Sequence, residues 1–234
     1  MRSFPAPALA IVDRMRERWT TVEHYICYDS GEHSPAFEDW IAAGLRAGGA
    51  DVVVHDATTG DAPPPAQGAV AGVVITGSHA MVSDRAPWSE HLAGWLKDCV
   101  AAELPVLGIC FGHQLLAHAL GGEVDRLPEG PEVGTREVRL GPEAGDDALL
   151  GALPARFPAQ LIHYQSVRRL PAGAVPLARS DIESHQAFRV GRRAWGVQFH
   201  PEFSDAALRA YLDGLGDLLD NEGLDAAAIA ARLQ

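Results

Sequence analysis

The chain reads as an α/β domain. It predicts a mostly parallel central sheet with helices on both faces and additional antiparallel strands in the second half. Three observations predict this. As far as Gly122, short apolar segments alternate with amphipathic helical stretches, the rhythm of strand–helix–strand units. Beyond Gly122 several short strand-like segments follow with few helices between them, so antiparallel additions are expected. Between these parts, the apolar run Val106–Gly112 stops at a cysteine held between two glycines, a strand-to-helix turn that parallel α/β sheets use to present a side chain.

The elements follow in order. Residues 1–20 form an N-terminal extension, with a short helix over Ala8–Trp19. Val22–Tyr28 alternates and is aromatic, so it is a strand. Ser34–Ala47 is a helix with Phe37, Trp40, Ile41 and Leu45 on one face, stopped by Gly48-Gly49. Asp51–His55 is a second strand, Asp61–Gly68 a proline-rich loop, and Ala69–Thr76 a buried strand running into Gly77-Ser78. Pro87–Ala101 is a helix with Pro87 in its first turn and Leu92, Trp95, Leu96 and Cys99 facing inward. Pro105–Ile109 is the strand that delivers Cys110, and His113–Leu120 the helix that follows, closed by Gly121-Gly122. Glu123–Asp125, Gly134–Leu140, Gln160–His163, Val175–Arg179, Gln186–Val190 and Ala194–Phe199 are short strands. Leu208, Tyr211, Leu212, Leu215 and Leu219 mark an amphipathic helix capped by Ser204 or Asp205, and Asp225–Leu233 is a last short helix. No repeat or low-complexity linker divides the chain, so residues 1–234 are expected to form a single domain.

Composition narrows the function. A net charge of −12 argues against nucleic-acid binding, which needs a basic face. No apolar run approaches the roughly 20 residues of a membrane helix, and the charged N-terminus lacks a leader's apolar core. Cys27, Cys99 and Cys110 have no paired or metal-ligand spacing, so a reduced, cytoplasmic setting with no metal and no cofactor is expected.

The chemistry concentrates at two places. Cys110 sits on the turn between a strand and a helix, where the helix's positive end favours thiolate. Far along the chain, Trp195–Phe199 runs into His200-Pro201-Glu202, putting a histidine at a strand's C-terminal end, where open α/β sheets place their sites. Glu202 is close enough to accept a hydrogen bond from that imidazole and fix its tautomer. Cys110, His200 and Glu202 thus follow the logic of nucleophile, base and orienting group. Taken singly, each has a bland reading: a small core cysteine, and a turn histidine before proline.

Gly108-Ile109-Cys110-Phe111-Gly112-His113-Gln114 resembles the Gly-x-Cys-x-Gly-x-Gln elbow of class I, triad-type glutamine amidotransferases. Val197–Glu202 is similar to that family's His-Pro-Glu end motif. The resemblance covers roughly residues 22–220. It implies a three-layer flavodoxin-like domain that hydrolyses the glutamine side-chain amide through a γ-glutamyl thioester. It also implies an oxyanion hole from the backbone N–H groups of Gly77 and Phe111, and a glutamine pocket lined by Gln114, with His185 and Phe188 approaching it. His113 belongs to the elbow as a supporting residue. His79, His91 and His118 read as surface or packing residues, and Met81 and Trp88 as a lid, a partner surface or core. Two positions depart from the family. Thr76-Gly77 stands where many members carry Gly-Gly. Gln165, in His163-Tyr164-Gln165-Ser166-Val167, stands where the glutaminase of GMP synthetase carries an acid. The second departure bears on acid-dependent contacts, including those toward a synthetase, and leaves the Cys-His-Glu set untouched.

Three functions fit these residues. In the first, the chain hydrolyses glutamine and releases ammonia for a separate synthetase or ligase subunit, since it has no nucleotide-binding glycine loop of its own. In the second, it is a peptidase or hydrolase of γ-glutamyl small molecules. In the third, it is a catalytically silent binding subunit.

Overall fold

The computed structural model describes residues 24–28, 37–47, 49–60, 62–66, 70–214, 219 and 224–233. The expected N-terminal extension with its helix over Ala8–Trp19, the first residues of the strand from Val22 and of the helix from Ser34, and Leu215 lie outside them.

The strands are β1 (His24–Tyr28), β2 (Val52–Asp56), β3 (Gly72–Ile75), β4 (Val106–Ile109), β5 (Glu123–Arg126) and β6 (Glu132–Leu140). They continue with β7 (Arg156–His163), β8 (Gln165–Arg169), β9 (Val175–Arg179), β10 (Ala187–Val190) and β11 (Ala194–Val197). The helices are α1 (Phe37–Ala47), α2 (Pro87–Ala101), α3 (Phe111–Ala119), α4 (Asp205–Gly214) and α5 (Ala226–Ala230). Among the described residues nine strands make one sheet, in the order β2-β1-β3-β4-β11-β10-β9-β6-β7. The block from β2 to β11 is parallel, and every pairing beyond β11 is antiparallel. β5 and β8 form a separate antiparallel ribbon.

The three layers follow from strand alternation. Val74, Leu107 and Ile109 face one side and pack with Ile41 and Leu45 of α1. Val73, Ile75 and Val106 face the other and pack with Leu92 and Leu96 of α2 and Leu115 and Leu116 of α3. The central strands are buried on both faces, which is why they read as unbroken apolar runs. A third cluster joins Val133 and Ile162 to Phe203, Leu208 and Leu212, seating α4 against the antiparallel half. Among the described residues no helix is long and apolar enough to cross a membrane.

Three departures from the sequence expectation have physical causes. β7 begins at Arg156, before the expected Gln160, because it is the outermost strand. An edge position tolerates Pro158, which would break a central ladder. β6 begins at Glu132, whose carboxylate is satisfied by buried partners and so does not mark a loop. β8 was not expected as a strand: it is polar, and Val167 supplies its main apolar contact.

Candidate active site

Cys110 closes β4 and opens α3 with φ 51° and ψ −102°, a conformation that side-chain-bearing residues rarely adopt. Its neighbours allow the strain. A Cβ on Gly108 would lie 2.3 Å from the Gly112 carbonyl oxygen, and one on Gly112 would lie 2.3 Å from the Ile75 carbonyl oxygen. Only glycine lets α3 start pressed against the ends of β3 and β4. The Cys110 N–H donates to Val197 O at 2.9 Å and the Gly112 N–H to Thr76 O at 3.2 Å, fixing the elbow between β11 and the loop after β3.

β11 runs parallel to β4, with Val197 paired to Ile109, so the chain that follows β11 emerges beside the elbow. The His200 N–H donates to Gln160 O at 2.9 Å, and Nδ1 of His200 lies 2.7 Å from Glu202 Oε1. The imidazole stacks on Phe203 with ring centroids 4.2 Å apart. His200 and Cys110 meet across Gly77: a Cβ there would be 3.0 Å from His200 Cε1 and 3.8 Å from Cys110 Cβ. Segments 90 positions apart in sequence are therefore adjacent at one backbone atom.

Electrostatics favour a charged imidazole. Burial alone would push the His200 pKa down. The Glu202 carboxylate, then the charge and hydrogen bond of Cys110, outweigh it and raise the value from 6.5 to about 10. His200 is thus an imidazolium at neutral pH, between a carboxylate and the sulfur. Cys99 is the contrast: burial, then the neighbouring Asp98, push its thiol up to about 12, so it is an inert core residue.

Cys110 opens onto a cavity of about 200 Å³. That is below the roughly 300–1,000 Å³ of drug-sized ligand sites and suits an amino-acid side chain. Its wall includes Ser78, Met81, Phe111, Gln114, Gln165 and Arg126. The Gln114 Nε2 group donates to Gln165 O at 2.9 Å and Gln198 Oε1 at 3.0 Å. Phe111 is the first residue of α3, where backbone amides lack helical acceptors and can serve an anion.

Residues 29–212 match the family described as glutamine amidotransferase class-I. The chain belongs to the class I glutamine amidotransferases. Curated relatives include a glutamine-hydrolyzing GMP synthase of Aeropyrum pernix, 39% identical over 69% of this chain and 30% of the relative. The chain therefore spans less than a third of that protein's length. One subunit of the glutamine-hydrolyzing GMP synthase of Archaeoglobus fulgidus is 33% identical over 76% of this chain and 87% of the relative. Gamma-glutamyl peptidase 3 of Arabidopsis thaliana is 29% identical over 61% of this chain and 58% of the relative. Among solved structures, a glutamine amidotransferase of Thermotoga maritima superposes with a TM-score of 0.74 at 22% identity, covering 90% of this chain and 89% of the other. That likeness supports the flavodoxin-like fold expected from the two motifs.

Within this amidotransferase domain the expected site residues fall into two groups. Cys110, His200, Glu202, Gly77, Phe111 and Gln114 come together around the elbow and its cavity. His185 and Phe188 are not among the residues lining that cavity. Nδ1 of His185 lies 2.6 Å from Val167 O, on the β8 side. Phe188 is fully buried, its ring 4.9 Å from that of His113 and packed beneath Gly196. It is core because Gly196 leaves space that its ring fills. His113 is held neutral in that core: burial, against the opposing backbone contact with Gly196, lowers its pKa to about 3.

Other residues have roles the sequence did not reveal. His79, expected at the surface or in packing, lines the cavity, with Nε2 2.6 Å from Tyr211 Oη. Tyr211, expected only as part of an apolar helix face, lines it too. Met81 is on the wall, whereas Trp88 packs on Phe111 with ring centroids 5.4 Å apart. Gln165 answers the question raised by the missing acid. Its Nε2 donates to Ser83 Oγ and its Oε1 accepts from the Ser83 N–H at 3.3 Å, tying β8 to the loop after β3. Behind the wall, His163 places Nδ1 2.8 Å from Gln165 O and Nε2 3.0 Å from Glu132 Oε2. Both ring nitrogens thus lie within hydrogen-bond distance of an oxygen.

Proposed function

We propose that this domain hydrolyses the side-chain amide of glutamine through a γ-glutamyl thioester on Cys110. The observation that carries the reading is the meeting of Cys110 with a Glu202-supported, positively charged His200 beside a small cavity. The Cys110 thiolate attacks the amide carbon and a C–S bond forms. The carbonyl oxygen gains negative charge, which the Gly77 and Phe111 N–H groups stabilise. His200, with Nδ1 committed to Glu202, gives its other ring proton to the amide nitrogen, the C–N bond breaks, and ammonia leaves. Neutral His200 then takes a proton from water, which attacks the thioester. Glutamate is released and the thiolate restored. Glu202 stabilises the imidazolium and keeps its proton inventory unchanged.

Ammonia is useful only when captured, and a separate synthetase or ligase subunit would supply the acceptor. The Archaeoglobus relative, named as one subunit of a GMP synthase, supports that arrangement. The Arabidopsis relative favours a second reading in which the same thioester forms from a γ-glutamyl peptide. Incubation with a diazo-ketone analogue of glutamine tests the shared chemistry. One adduct per chain on Cys110, with glutaminase activity lost in parallel, is expected. Folded protein that takes up no label and releases no ammonia would overturn both readings and leave the silent binding subunit. Comparing glutamine with γ-glutamyl dipeptides then separates the two enzymes.

A further inference from the structure

The cavity has a direction. It begins at Cys110 and passes Gln114, one helical turn and about 6 Å along α3. Gln114 donates to the Gln165 carbonyl, and Gln165 pairs in register with Arg126 across the β5–β8 ribbon. Cross-strand partners are about 5 Å apart. Arg126 therefore lines the cavity beyond Gln114 and Gln165 as the wall is followed away from the sulfur. His200, which serves the leaving group, is not on this wall. The cavity thus holds the acyl half of the substrate, and the departing amine lies on the other side of Cys110.

Charge gives that stretch of wall its chemistry. Among the described residues that line the cavity, none is a carboxylate, and Arg126 alone carries a permanent charge. A guanidinium on a pocket wall that holds no carboxylate, in a chain of net charge −12, offers a place for an anion. A γ-glutamyl group attached at Cys110 carries its α-carboxylate at the far end of its carbon chain.

Building on the γ-glutamyl thioester reading above, we infer that Arg126 is a specificity residue that pairs with the α-carboxylate of the γ-glutamyl substrate. The guanidinium selects α-amino-acid amides over simple amides, and it acts on binding and leaves the chemical step to Cys110 and His200. The fork geometry suits a carboxylate.

The test compares glutamine with 4-aminobutanamide, the same molecule without its α-carboxylate, on wild type, Arg126→Gln and Arg126→Lys. For glutamine, Arg126→Gln should lower kcat/KM roughly 10- to 100-fold, the range for a lost hydrogen bond to a charged group, mainly through KM. It should leave 4-aminobutanamide turnover at the wild-type level, and Arg126→Lys should recover part of the loss. Product inhibition by glutamate should weaken in step, a readout available even where 4-aminobutanamide turns over too slowly to measure. Equal losses on both amides, or unchanged glutamate inhibition, would overturn the assignment. So would a loss confined to γ-glutamylglycine relative to its C-terminal amide, which would put the anion on the leaving group. Diazo-ketone labelling of Cys110 in Arg126→Gln keeps the two readings apart. Labelling with an unchanged glutamine KM sinks the Arg126 role alone. Wild-type protein that neither labels nor turns over sinks the hydrolase reading beneath it.

Discussion

Cys110 is held in a backbone conformation that its Cβ resists, and that strain is a measurable quantity. Both Cys110→Ala and Cys110→Gly should abolish glutaminase activity, because neither supplies a sulfur. Their stabilities should differ. At φ 51°, ψ −102° glycine avoids the Cβ conflict, and its extra unfolded-chain entropy offsets only part of the gain. Cys110→Gly should exceed Cys110→Ala by about 1 kcal/mol. Urea midpoints read this directly, and equal midpoints would mean that the elbow stores no strain. Glu202 offers a second measurement. Its carboxylate is the leading cause that raises the His200 pKa against burial, so the imidazolium persists until the pH rises through about 10. The leaving amine needs that proton, so kcat/KM should fall on the alkaline side as His200 deprotonates. Replacing Glu202 with Gln removes the raising charge, and the alkaline limb should move to lower pH. A pH profile of Glu202→Gln that overlays the wild type would show that the carboxylate does not set the protonation of His200.

The β4–α3 junction explains why so much of the candidate site is legible in the sequence. Gly108 and Gly112 flank Cys110 at local spacing, and each glycine is required by a contact within a few residues or with the adjoining strand. The same holds for the parallel strands, whose burial on both faces writes itself as apolar runs. β8 and the start of β7 were illegible for the opposite reason: one is a polar ribbon and the other an edge carrying Pro158. Two glycine substitutions separate required glycines from permitted ones. Gly112→Ala would push a Cβ to 2.3 Å from the Ile75 carbonyl oxygen and 2.7 Å from Ile75 Cβ, so backbone must move. A loss of about 3 kcal/mol is expected, at the upper end of the usual cost of overpacking. Gly94→Ala, inside α2 with nothing within 4 Å of the added Cβ, should instead gain about 0.5 kcal/mol from helix propensity. Thermal unfolding of the pair tests this. A Gly112→Ala protein as stable as wild type would contradict the close packing of α3 on β3.

Across the molecule, two side-chain contacts of long sequence separation add to the Gly112–Thr76 backbone bond in holding the loop between β3 and α2. Gln165 reaches Ser83 from β8, and Tyr211 reaches His79 from α4. Neither pairing could be read from the chain. Tyr211 fits an apolar helix stripe, His79 has no motif around it, and only the closing of the sheet brings 132 positions together. The pairing matters because the same loop carries Gly77, which lies against both Cys110 and His200. Burial, with the nearby Cys110 charge and Tyr164 adding to it, pushes the Tyr211 hydroxyl pKa above its ordinary value, so the hydroxyl stays protonated and can donate to Nε2 of His79. Tyr211→Phe removes that bond while the ring's packing on Phe203 and Leu212 survives. A stability loss of about 1 kcal/mol follows for one buried hydrogen bond. The larger consequence is local: a loop freed at one of its anchors presents the Gly77 N–H less consistently to the oxyanion proposed to develop beside it. Glutamine kcat should fall severalfold while KM, set at the Gln114 and Arg126 end of the cavity, changes little. Amide hydrogen exchange should accelerate across residues 77–84 and stay unchanged in β4, where the ladder to β3 and β11 is intact. Exchange in the loop that matches wild type, or a kcat that does not move, would mean that Gln165 and the elbow alone position it, and that α4 has no part in catalysis.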